Sequence, residues 1–169
     1  MADLLNDTGA LRFGMALAGR ERPLAGQGAL GSSLSQPGRV LCTVALEYLD
    51  QSDGQFWPFI RVPVVWMPPN ALESLLDGIS TLVRGESAGF SWQPGEQAPM
   101  GLQIGSEGAP AGGLQIELGL DLGAFLAEVA GSPRRPGGEL ALFRFLTTQA
   151  AMVRFGDLLR TEREEMQTA

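Results

Sequence analysis

MPPNALESLLDGISTLVRG, residues 67–85, is the segment of the chain in which a helix start, a helix period and a helix stop are most completely present. Pro68 and Pro69 break whatever precedes, Asn70 is a capping residue type, and Glu73 follows three residues later in a capping-box spacing. Leu72, Leu75, Leu76, Ile79 and Leu82 recur at steps of three and four, so they form one apolar stripe. Arg84 suits the negative end of the helix dipole, and Gly85 suits the left-handed residue that ends a helix. A stripe of this width needs a partner surface, and the flanking segments supply one in β-like runs.

Upstream, Leu11, Phe13, Met15 and Leu17 alternate as a first strand over residues 11–18. Residues 19–39 are rich in Gly, Pro, Ser and Gln and read as a long loop. Its Gly26, Gly28 and Gly31 match G-x-G-x-x-G, but Pro23 and Pro37 forbid the flanking strand and helix that a dinucleotide site requires. From Val40 to Leu49 both faces are largely apolar, as in a central strand. Cys42 belongs to its uniformly apolar face and reads as inert core. A turn at residues 50–54 leads to a returning strand, Trp57 to Trp66, whose Pro58 and Pro63 lack ladder donors and place it at a sheet edge or a bulge. Trp57 and Trp66 read first as core or rim packing, with an interface role as the alternative.

Downstream, Phe90 and Trp92, then Met100, Leu102 and Ile104, then Leu114, Ile116 and Leu118 mark a meander of three short strands. Gln103, Gln115 and Glu117 share its opposite, solvated face. Asp121 is placed to cap a short helix through Val129, residues 132–138 form a solvated linker, and a strand from Leu140 to Leu146 follows. Thr147 or Thr148 then caps a last helix with Met152, Phe155, Leu158 and Leu159 inward. The expected architecture is a single α+β domain: a mostly antiparallel twisted sheet of about six or seven strands, three helices packed on it, and a Gly/Pro-rich loop at 19–39. No sequence period marks an internal repeat.

Composition removes several chemistries. The chain of 169 residues has no His, and its twelve positive side chains are all Arg. Lysine-based phosphate loops, Schiff bases, histidine triads and histidine zinc sites are therefore absent. One Cys allows no internal disulfide, and the acidic start lacks a secretory n-region, so a cytoplasmic, soluble protein is expected. The net charge of −7 falls entirely within residues 40–120, the flanks cancelling. Such a field favours a basic partner over nucleic acid or an anionic membrane.

Trp66, the helix over residues 71–84, Gly85, Phe90, Gln93-Pro94, Met100-Gly101-Leu102, and Phe143-Arg144-Phe145 through Leu158-Leu159 resemble the small bacterial WapI-type immunity proteins of polymorphic toxin systems. The resemblance implies a non-catalytic protein that neutralises a toxin by binding it. The functional expectation is accordingly a protein-binding domain, an immunity-like inhibitor of a basic bacterial toxin, with no cofactor, no metal and no catalytic residue. The alternative is a structural or adaptor subunit of a bacterial assembly, evident as a homo-oligomer. An enzyme would have to rely on a metal held by carboxylates such as Asp50 and Asp53. The partner surface is expected at Asp50, Asp53, Trp57 and Arg61, on the hairpin and its edge strand.

Overall fold

The computed structural model describes residues 1–20, 39–95, 100–121 and 140–168. Alternating apolar residues build a first antiparallel meander from β1 (Ala2–Leu5), β2 (Leu11–Arg20), β3 (Val40–Asp50) and β4 (Gln55–Met67), paired in that order. A helix follows, α1 (Pro69–Val83). The pattern then repeats: β5 (Gly89–Trp92), β6 (Met100–Gly105), β7 (Gly113–Asp121) and β8 (Leu140–Thr148) form a second four-stranded meander, and α2 (Gln149–Thr168) closes the chain. Four strands and a helix thus occur twice, although no sequence period betrays it.

The α+β class matches expectation, but the detail does not. The single sheet of six or seven strands is two sheets of four, and the described residues hold two helices rather than three. Asp121 ends β7, paired with Leu140. The helix expected after it, the 132–138 linker and most of the 19–39 loop, glycine motif included, lie outside the described residues. Gly19 and Arg20 belong to β2.

The two halves interlock. Helix α1 follows the first sheet but packs on β5 of the second; α2 follows the second sheet but packs chiefly on β1 and β2 of the first, and the helices touch each other. Ala71, Leu72, Leu75, Leu76, Ile79 and Leu82 are buried along α1, and Met152, Phe155 and Leu159 along α2. Each such Leu or Ile contributes about 1.5–3 kcal/mol by leaving water. Phe155 meets Phe13 of β2 with ring centroids 5.9 Å apart. Trp92 of β5 donates its indole N–H to the Ala71 carbonyl at 2.7 Å, satisfying a buried polar group while pinning α1. Polar ties lie beside these contacts: Arg163 donates to Glu73 at 2.6 Å, Arg160 to the Ser80 hydroxyl at 2.6 Å, and the Leu17 N–H to Glu162 at 2.8 Å.

The ends of α1 are solved differently. No side chain caps its N-terminus; Pro68 is the capping residue, and Glu73 turns away to Arg163 instead of closing a capping box. At the C-terminus the expected glycine stop holds, while Arg84 is the capping residue and pairs with Glu86. Gly85 has φ of 72°, its N–H reaches the Leu82 carbonyl, and the Glu86 N–H reaches that of Thr81, which together make a Schellman stop. In α2 it is Thr148 that caps, accepting from the Ala151 N–H at 3.1 Å, while Thr147 donates to the Leu5 carbonyl at 2.6 Å and ties β8 to β1.

Gly78 marks the tightest seam: a Cβ there would sit 2.5 Å from the Phe90 ring. Glycine inside a helix costs about 1 kcal/mol relative to alanine, so the contact has to outweigh propensity. Gly78→Ala is expected to destabilise the fold by about 1–3 kcal/mol in urea denaturation. Adding Phe90→Leu should recover part of that loss; a stabilised single variant would show that α1 does not press on β5.

Candidate functional site

Among the described residues, two surfaces carry side chains that the core does not account for. The first lies at the β3–β4 hairpin. Its turn is organised by carboxylates: Asp50 accepts from the Ser52 hydroxyl at 2.7 Å and backbone N–H at 2.8 Å, and these bonds hold its pKa below the ordinary value. Asp53 accepts from the Gln55 N–H at 2.8 Å and from the Trp57 indole at 3.2 Å. Edge position and bulges in β4 are as the prolines foretold. Register slips opposite Leu46 and Glu47, where Phe59 is the unpaired extra residue, and again between Cys42 and Val44.

Beyond the first slip, Tyr48 and Trp57 are cross-strand partners on the same face as buried Leu46. They run past the cover that the helices provide, and Tyr48 is 43% and Trp57 50% exposed. Phe59, pushed out by the bulge, is 61% exposed and meets Phe143 of β8 edge-on, with centroids 5.6 Å apart. Trp57 is thus neither core nor a closed rim. An aromatic ledge therefore stands where β4, the edge of one sheet, approaches β8, the edge of the other.

Of the four residues expected at an interface, the structure gathers Asp50, Asp53 and Trp57 at the hairpin end. Arg61 pairs with Ala45 and lies on the opposite face, exposed and without an ion-pair partner among the described residues. Asp50 and Asp53 are engaged with the turn itself. No group of three or more metal-ligating side chains occurs among the described residues.

The second surface is the outward face of β5–β8. Register sets Ser91, Gln103, Glu117 and Arg144 in one row across all four strands. Beside it runs a second row, Gly89, Gly105 and Gln115, so part of the floor is bare backbone. A depression of about 550 Å³ opens over these residues. Glu117 and Arg144 form an ion pair across it. The shared face of Gln103, Gln115 and Glu117 follows from sequence alternation; Ser91 and Arg144 join only through pairings that alternation does not reveal.

By contrast, the outward face of β2–β4 carries a closed cluster next to the hairpin. Arg12 binds Glu47 at 2.6 Å and lies 4.1 Å over the Phe56 ring, leaving Glu47 buried but paired.

No protein-family model and no curated protein sequence matches the chain. Two solved structures resemble its fold. One is of MRP1/MRP2 from Trypanosoma bruciei, 10% identical with a TM-score of 0.44 over 76% of this chain and 75% of that one. The other is a guide-RNA-binding protein complex bound to a guide RNA, 8% identical with a TM-score of 0.43 over 90% and 89%. Likeness at this distance transfers no residue role. The expected toxin inhibitor or assembly adaptor, with nucleic acid excluded, finds no counterpart among these matches, one of which is a guide-RNA complex.

The net charge of −7 does not describe every face of the protein. Glu47, Glu73, Glu86, Glu117, Asp157 and Glu162 are each engaged in an ion pair, so the charge count says little about any one surface. No helix among the described residues is long and apolar enough to cross a membrane.

Cys42 stays outside both surfaces. It is buried, and desolvation pushes its thiol up to about 12 from an ordinary 9.0. Between those values the unfolded chain has released a proton that the folded chain keeps, so stability falls as pH rises above about 9. Urea midpoints at pH 8, 9 and 10 are expected to decline less steeply in Cys42→Ala than in the parent, and identical slopes would place the thiol in contact with water.

Proposed function

We propose that the chain binds unpaired nucleic-acid bases, using the aromatic ledge at the sheet junction as a stacking platform. The observation that carries this reading is the joint exposure of Tyr48, Trp57 and Phe59 beside Phe143, four π-faces around one open edge. Stacking on aromatic side chains is tolerant of sequence and does not depend on neutralising phosphates. It therefore operates on an acidic protein, where backbone attraction is weak. Trp57 suits the role because its indole N–H is fixed by Asp53, which orients the ring before a ligand arrives. No bond cleavage or proton transfer belongs to this reading.

With Arg61 on the opposite face of β4 from Tyr48 and Trp57, stacking rather than charge neutralisation carries the binding, and few counterions are released. The dependence of log K on log salt for a single strand has a slope of about −0.7 per phosphate neutralised, so a shallow slope, between zero and about −0.7, is expected here. Titration of a short unstructured RNA, followed by Trp fluorescence quenching, is expected to give weak binding that duplex RNA lacks. Trp57→Ala or Phe59→Ala should each weaken it by about 1–3 kcal/mol while leaving the melting temperature nearly unchanged. For the tryptophan variant, anisotropy of a labelled RNA replaces quenching. Equal affinity for duplex, or full affinity in both variants, would remove the ledge from consideration.

A further inference from the structure

The depression on the second sheet has a chemistry unlike that of the ledge. Its volume, about 550 Å³, lies in the range of small-molecule sites. Ser91, Gln103 and Gln115 line it, and among the described residues none of their side chains makes a hydrogen bond with another part of the protein. On an ordinary solvated strand such residues stand among neighbours of similar size. Here they border a strip stripped of side chains, where Gly89 faces Gly105 across β5 and β6. Gly89 is required by that approach, since a Cβ would fall 2.7 Å from the Ile104 carbonyl oxygen. The result is a flat backbone floor with unengaged carboxamides on its border.

Gln103 and Gln115 are diagonal neighbours on adjacent strands: Gln103 pairs with Glu117, and Gln115 with Gly105. At roughly 7 Å, their ends can reach two edges of one ligand. A carboxamide presents a donor and an acceptor side by side, the pattern that pairs with the amino and ring-nitrogen edge of adenine. Charge narrows the class further. Arg144 is engaged by Glu117, and Glu107 adds a second carboxylate to the lining, so the depression offers no free cation to a phosphate. A flat floor, amide edges and a negative balance together select a planar, neutral, hydrogen-bonding heterocycle.

We infer that the glycine-floored depression of β5–β7 is a binding site for a purine nucleoside or free base, read by Gln103 and Gln115 and closed to its phosphorylated form. This inference rests on the depression alone and is independent of base stacking at Trp57. Adenosine, AMP and glucose are the ligands to titrate, with the glutamine side-chain amide signals followed by NMR on the full chain.

Adenosine is expected to shift the Gln103 and Gln115 amide resonances, with AMP at least fivefold weaker and glucose without effect. Gln103→Ala with Gln115→Ala should reduce adenosine affinity at least tenfold, and Ser91→Trp, at an exposed position on the lining, should block it. Both variants are expected to retain the parental melting temperature. Absence of a shift at millimolar adenosine would sink the proposal. Tighter binding of AMP would overturn the exclusion of phosphate, and an equal response to glucose would overturn the planar-ring selectivity. Trp57→Ala serves as a separate control: it is expected to leave adenosine binding intact, and joint loss would locate adenosine on the ledge instead.

Discussion

The exchange of helices between the two sheets is the constraint on which everything else depends. A four-stranded meander with one apolar face cannot stand alone in water, because that face must be covered. Here each cover comes chiefly from the other half of the chain: α1 lies against β5, and α2 against β1 and β2. Close approach makes the exchange possible. Gly78 admits Phe90, and Gly156 admits Ile79, whose Cγ2 would sit 3.0 Å from an added Cβ. Since both apolar faces turn inward toward the helices, both outward faces are left to solvent.

Those outward faces then diverge by side-chain choice. In the first sheet, Arg12, Glu47 and Phe56 build a closed cluster of paired charge and cation–π contact. In the second, glycines clear a strip of backbone and leave amides beside it. The aromatic ledge arises differently, from geometry at an edge. A bulge at Phe59 throws the ring outward, and Tyr48 and Trp57 continue an apolar face beyond the reach of the helices that cover it elsewhere. Folding alone gives these three rings little burial, which is why a ligand is the natural account of them.

What could be read from the chain divides along the range of the interactions. Local periodicity located α1 with its buried stripe and the stop at Gly85, the edge character of β4, and the common face of Gln103, Gln115 and Glu117. Short-range signals failed where a longer contact competed. Asn70 and Glu73 have capping-box spacing, yet Glu73 is taken by Arg163 ninety residues away. Strand β1 is only four residues long and alternation over so few positions is uninformative. Two sheets rather than one, and the row that joins Ser91 to Arg144, are matters of pairing between distant segments, which no window of sequence contains. In sequence Trp57 reads as core, rim or interface, because its exposure depends on where the helices end.

The exchanged helices also bear on how the chain acquires its structure. The residues of α2 that seal β1 and β2 are separated from them by most of the polypeptide, so the interior is dominated by contacts of long sequence separation, a feature that slows folding. During synthesis the first meander emerges well before its principal cover exists. Its apolar face, with Leu4, Phe13 and Met15, must wait for α2. The two topological repeats are thus poorly suited to be independent folding units, since each takes its cover from the other.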